Sequence, residues 1–225
     1  MIKYISAIER RVWMLNRFRY VRKQRLKVKD VGFSLVSQNC IGGFLYNNMG
    51  LQFNSPTINT LIRGGSFIKF VNDIDKYIAM TPVAAPVEDW VDEKPALMLG
   101  DISVRCPHSE SIDKALGDWK RRAKRFDGRD MRFIATTWDL GENLDLIQRF
   151  LDLPYRKVLF TCDKHITGPE VFNIDANRYQ SIDGFRQDNT FNVMARIPWT
   201  GKRVFEDCFD WVEWLNGKDA CLCLL

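Results

Sequence analysis

Histidine is almost missing from this chain, with two in 225 residues, His108 and His165. Each stands near a cysteine, in Cys106-Pro107-His108 and Cys162-Asp163-Lys164-His165. The C-x-H spacing is poor for one tetrahedral zinc, and the two pairs follow different strand-like segments. No metal site is therefore expected. The six cysteines (Cys40, Cys106, Cys162, Cys208, Cys221, Cys223) have no framework spacing. The N-terminus also lacks the apolar core of a secretory signal. Free thiols in a reducing cytosol are the expectation. No run approaches the ~18 consecutive apolar residues of a spanning helix, so a soluble or surface-attached protein is expected. Neither G-x-G-x-x-G nor G-K-[ST] occurs, which argues against the standard Rossmann and P-loop nucleotide sites. There is no G-x-S-x-G for a serine nucleophile. Internal repeats and low-complexity tracts are absent as well.

What the chain does have is apolar and aromatic mass: 46% hydrophobic residues, with 15 Phe and 7 Trp. That composition builds a core and argues against disorder. The net charge of +5 is concentrated at one end. Residues 1–30 carry ten basic and two acidic side chains, so this segment is +8 and the remainder of the chain is net −3. Residues 4–25 read as a helix, with Ile5, Ile8, Val12, Leu15, Phe18 and Val21 at helical spacing among the cations. Basic, aromatic and amphipathic together make the profile of a helix lying on an anionic membrane surface. A helix docked on the body, or a dimer contact, gives the same pattern. The expected organisation is a basic amphipathic helical arm over 1–30 and a single α/β domain over 31–225.

Within that domain, Phe33–Ser37 reads as a buried strand and Ser66–Met80 as an amphipathic helix. Thr57–Leu61 reads as a short helix, and Thr81–Trp90 as an extended Pro-rich segment. Leu97–Val104 reads as a strand interrupted at Gly100-Asp101, Ser109–Phe126 as a helix, and Arg132–Thr137 as a strand. Leu144–Leu151 is a helix ended by Pro154, and Lys157–Cys162 is a strand. Val171–Asn192 reads as irregular and Arg203–Asn216 as a closing helix. This alternation predicts a mixed, partly parallel sheet flanked by helices.

Four places are candidates for chemistry. In Ser37-Gln38-Asn39-Cys40-Ile41-Gly42-Gly43 an apolar strand delivers a polar cluster and two glycines to a sheet edge, where α/β proteins bind ligands. Gly42 and Gly43 allow close backbone approach, and Asn39 offers a donor and an acceptor. A lowered pKa, from a nearby cation or a helix N-terminus, would make Cys40 a nucleophile; the competing reading is a small buried thiol in a tight turn. Asp101 and His108 are candidate acid/base groups, with a strand bend and a structural histidine as the competing readings. In Trp119–Arg125, the residues Arg121, Lys124 and Arg125 share a helix face that suits a phosphate; a solvated helix end is the alternative. Asp139, in Thr136-Thr137-Trp138-Asp139, is a weaker candidate at a second strand end. The acidic body and the lack of a binding signature argue against nucleic acid.

Phe33–Asn59 (with Ser37, Asn39-Cys40, Gly42-Gly43 and Ser55-Pro56-Thr57), Phe67–Phe70, Gly100-Asp101, His108, Trp119–Arg125 and Phe150–Tyr155 occur here in one order. In these residues the chain resembles a bacterial family of exopolysaccharide or capsular polysaccharide biosynthesis proteins, formally a domain of unknown function. The resemblance implies a surface-polysaccharide pathway at the cytoplasmic face of the inner membrane, and a sugar-phosphate or nucleotide-sugar ligand. The expected activity is glycosyl or related group transfer from a phosphate-bearing sugar donor. Asn39, Cys40, Gly42, Gly43, Arg121, Lys124 and Arg125 would bind substrate, and Asp101 and His108 would act as acid and base. A non-catalytic sugar-binding or scaffolding subunit is the competing expectation. The cofactor is unknown: neither the residues nor the resemblance names one.

Overall fold

The computed structural model describes residues 2–87, 91, 93–182, 185 and 191–225. Parts of the segments read as extended (88–90) and irregular (183, 184, 186–190) lie outside them. In chain order the elements are α1 (Ile2–Arg25), β1 (Ser34–Ser37), α2 (Ile41–Met49), α3 (Gly64–Asn72), α4 (Ile74–Ala79), β2 (Val83–Ala84), β3 (Ala96–Leu99), β4 (Ile102–Arg105), α5 (Ile112–Ala123), β5 (Met131–Thr136), α6 (Leu144–Leu151), β6 (Arg156–Thr161), β7 (Val171–Asn173), α7 (Phe191–Met194), α8 (Val204–Cys208) and α9 (Trp211–Leu215). The fold is mixed α/β: one sheet has the order β1-β5-β6-β7 and a second the order β2-β3-β4. β1 and β5 pair in parallel, Val36 opposite Phe133. Every residue of both strands is buried, as their near-continuous apolar sequences demand of parallel strands covered on both faces.

The chain folds as two compact units, one of residues 1–31, 48–51 and 160–225, the other of residues 32–47 and 52–159. Residues 1–30, expected as a separate arm, thus share a unit with 160–225. In that unit Phe160, Phe172, Phe205 and Phe209 pack edge-on around one another. The indole of Trp13, on α1, is buried and donates to the Lys202 carbonyl at 3.1 Å. Arg17 meets the fully buried Glu206 through both terminal nitrogens, and Tyr20 accepts from the Trp211 indole at 3.0 Å. The docked stripe of α1 is therefore aromatic and polar. The opposite face leaves Ile8, Met14, Leu15 and Phe18 from 53% to 69% exposed. Gly201 (φ +76°) lies so close under α1 that a Cβ there would come within 2.4 Å of the Asn16 and Arg17 backbone.

In the other unit several boundaries differ from the sequence reading. Leu97–Val104 is an antiparallel hairpin, Ala96 opposite Arg105, with Gly100-Asp101 as its turn. It joins the second sheet, so the parallel partner of β5 is β1, far away in sequence. The predicted helix over 66–80 is two helices meeting at Asp73, and the segment after Pro56 is a turn rather than a helix. The Arg203–Asn216 helix of the first unit likewise breaks, at Phe209-Asp210. Each break keeps apolar residues on both sides buried, so packing rather than helical continuity decides it. Two helices start where polar side chains satisfy free backbone N–H groups: Ser111 accepts from Lys114 N in α5, and Asn143 from Asp145 N and Leu146 N in α6.

Candidate active site at the ends of two parallel strands

The Asn39–Gly43 segment is less of a loop than its glycines suggest. Gly42 and Gly43 form the first turn of α2, buried against Ser37 and the Ile58-Asn59 turn. A Cβ on Gly42 would lie 2.7 Å from Ser37 Cβ and 2.8 Å from Ile58 Cδ1; one on Gly43 would lie 2.0 Å from Asn59 Oδ1. The pair permits close helix packing. Asn39 is also occupied: its Nδ2 donates to Asp139 Oδ2 at 3.0 Å and its Oδ1 accepts from Ile41 N at 3.1 Å. Asp139, itself buried, accepts from Thr136 Oγ1 at 3.2 Å and lies 3.9 Å from Arg63 Nε. These bonds tie the turn after β1 to the turn after β5.

That tie presents Cys40 between β1 and α2, and there it meets His108, which follows β4. Sγ and Nε2 are 3.0 Å apart. Burial first, then the nearby Asp139 carboxylate, pushes the Cys40 thiol up to about 11. Partial burial, then Lys94, holds His108 below its ordinary value of 6.5. Both effects favour neutral partners near pH 7, with the thiol donating to the ring nitrogen. The pair is a neutral thiol beside a neutral imidazole, not a thiolate–imidazolium ion pair, so the lowered thiol pKa that would mark Cys40 as activated is not found.

His108 also lines a cavity of about 170 Å³ together with Asn59, Cys106, Lys114, Trp119 and Arg122. Among the described residues Trp119 Nε1, in the lining of this cavity, is a buried donor with no acceptor; Nε2 of Gln38, outside the lining, is another. A buried donor left unpaired costs roughly 1–3 kcal/mol, which a ligand oxygen would recover.

The remaining predicted site residues are placed elsewhere. Asp101 sits in the exposed β3–β4 turn. It accepts from Lys69 Nζ at 2.7 Å and Tyr77 OH at 2.8 Å, and these bonds hold its carboxyl down at about 2. A carboxylate of that acidity is a weak base, and no recorded contact among the described residues joins it to His108. Arg121 is exposed and paired with Asp118. Arg125 donates to the Phe53 carbonyl at 2.8 Å through Nε. Lys124 lines a separate groove of about 370 Å³ with Lys120, Thr81 and Trp119. The buried cation of the run is Arg122, which donates to the Ile58 carbonyl at 2.6 Å and pairs with Asp118 at 3.0 Å. Its signal was present in the sequence as an i,i+4 acid–base pair.

All six cysteines are free thiols. No three His, Cys, Asp or Glu side chains among the described residues gather as a metal site. That includes Asp73-Ile74-Asp75, whose D-x-D spacing is realised as two exposed carboxylates flanking a buried isoleucine. No helix among the described residues is long and apolar enough to cross a membrane.

Residues 12–216 match the family described as "Domain of unknown function (DUF1919)". The chain belongs to that family. The match begins inside α1 and runs through α9, so it reaches beyond residues 30–165, most of which carry the resemblance, and takes in part of the N-terminal helix expected to lie outside the shared pattern. A protein of Haemophilus influenzae, described as an uncharacterized protein, is 28% identical over 216 residues, covering 95% of this chain and 97% of its own length.

Proposed function

We propose that this DUF1919 protein transfers a glycosyl or related group from a phosphate-bearing donor to a sugar hydroxyl in the assembly of a surface polysaccharide. The observation that carries the transfer step is the convergence of Cys40, His108 and the Asn39–Asp139 tie at the ends of β1 and β5. Strand ends are where α/β sheets collect ligands. The polysaccharide context comes from the sequence resemblance. In this reading His108 moves the proton of the acceptor hydroxyl. Lys120 and Lys124, across Trp119 from the His108 cavity, meet the donor's phosphates. The exposed face of α1 meets an anionic bilayer: its apolar side chains insert while Arg11, Arg19 and Arg22 contact headgroups.

Thermal shift against nucleotides, nucleotide sugars and coenzyme A thioesters tests the reading, because a specific ligand raises the melting temperature by mass action. The expected result is stabilisation by a phosphate-bearing donor that is lost in Lys120→Ala/Lys124→Ala. Stabilisation by no donor, with stabilisation by the saccharide alone, would favour the scaffolding subunit instead. Co-flotation with anionic vesicles, lost in Leu15→Asp/Phe18→Asp, tests the membrane contact; unchanged flotation of that variant would overturn it.

A further inference from the structure

We propose that Cys40 is the nucleophile of an acyl transfer, taking a short uncharged acyl group from a thioester or activated ester donor with His108 as its general base. The inference rests on the strand-end site being the reaction centre, and it names the group transferred there.

Four observations carry it. First, Cys40 stands at a strand–turn–helix junction with a glycine two residues on, the placement that presents a nucleophile above the end of a strand. Gln38 replaces the small residue usual before such a nucleophile, and Cys40 is not among the residues with positive φ, so placement rather than backbone strain supports the assignment. Second, His108 Nε2 lies within reach of Sγ, so attack and proton transfer can occur together. This matters because among the described residues no cation holds Cys40 as a standing thiolate, whereas the Asp139 carboxylate acts against one. Third, the same carboxylate disfavours an anionic electrophile such as a phosphoryl group at Sγ and leaves a neutral carbonyl carbon as the better match. Fourth, the cavity of about 170 Å³ beside His108 is smaller than the ~300–1,000 Å³ of pockets that enclose whole drug-sized ligands. It suits a short chain, and the indole N–H of Trp119 in its lining, unpaired among the described residues, suits a carbonyl or hydroxyl oxygen.

The step balances without a further reactant. Sγ attacks the donor carbonyl as its proton passes to His108 Nε2. The tetrahedral intermediate collapses, the donor thiol or alcohol leaves with that proton, and Cys40 carries a thioester. A sugar hydroxyl then gives its proton to His108, attacks the thioester carbonyl and takes the acyl group. Sγ leaves and recovers the proton.

The test is peptide-mapped mass spectrometry of the full chain after brief exposure to acetyl-coenzyme A and, separately, p-nitrophenyl acetate. Exposed Cys221 serves as internal reference. The expected result is one acetyl group on Cys40, formed faster than on Cys221, with the Cys40 rate falling about 10²-fold or more in His108→Ala. Labelling of Cys40 no faster than Cys221, or equal rates in wild type and His108→Ala, would overturn the inference. Melting curves confirm that the variant is folded, and His108→Gln supplies a second, isosteric variant. Failure here with nucleotide-sugar stabilisation intact in Cys40→Ala leaves the proposed function standing and removes the acyl step. A Cys40 adduct that passes to water and to no saccharide does the reverse.

Discussion

Glu206 is the side chain on which the docking of α1 depends. It is fully buried. It accepts from both terminal nitrogens of Arg17, from Asn48 Nδ2 at 2.6 Å and from Arg203 N at 2.9 Å. Arg17 is itself only 16% exposed. Glu206→Gln keeps the volume but removes the charge. It also turns an NH2 group toward a site built entirely of donors. Charge-assisted hydrogen bonds contribute about 1.5–3 kcal/mol each. Breaking one partner of a buried ion pair costs about 3–5 kcal/mol, because the other charge stays buried and uncompensated. Against a total stability of roughly 5–15 kcal/mol for a folded domain, such a loss leaves the unit marginal. Urea unfolding followed by tryptophan fluorescence reads it out, since Trp13, on α1, is buried by the docking. Arg17→Met in the Glu206→Gln background should recover part of the loss, as a double-mutant cycle reveals for coupled groups. A loss below ~1 kcal/mol, the range of an exposed surface pair, would refute the reasoning.

Three further outcomes follow from the geometry. Gly201→Ala should destabilise the same unit, because a left-handed residue gains a Cβ within 2.4 Å of helix backbone that cannot move aside; a melting temperature equal to wild type would contradict this. Gly42→Ala should cost about 1–3 kcal/mol by overpacking, more than the ~1 kcal/mol that alanine gains over glycine in a helix, because Ser37 Cβ is fixed to β1; denaturant midpoints check it. Acetylation of Cys40 needs unprotonated His108, so its rate should rise with pH through an inflection below 6.5 and stay level until the thiol ionises near 11. An inflection above pH 7 in the labelling rate would show that another group is the base.

How much of this was legible in the sequence depends on the range of the interaction. α6 was readable to the residue because its apolar spacing and the stop before Pro154 are local; the Asn143 cap, equally local, emerges only in the structure. α1 was readable as an amphipathic helix, but its docked side was not. Trp13, Arg17 and Tyr20 dock because partners between residues 201 and 211 await them, and no hydrophobic periodicity encodes that. The glycine pair was read as a ligand loop because the crowding by Ser37 and Ile58 that requires it is tertiary. Cys40 and His108 are 68 positions apart, and Asn39 and Asp139 are 100 apart. Only the rule that strand ends gather functional groups pointed toward them. It placed Asn39, Cys40 and His108 on the candidate list without revealing that Cys40 and His108 touch. Arg121, Lys124 and Arg125 share a face on a helical wheel, yet Asp118 and the Phe53 carbonyl draw two of them to separate partners.

The account stands on the strand-end site being a transfer centre. Its most direct measurement is the appearance of a labelled group on saccharide acceptor, supplied with labelled acetyl-coenzyme A or nucleotide sugar, by wild type against His108→Ala. The account predicts transfer by the wild type and a fall of about 10²-fold or more in the variant. Equal transfer by both proteins would contradict it, as would none by the wild type from any donor.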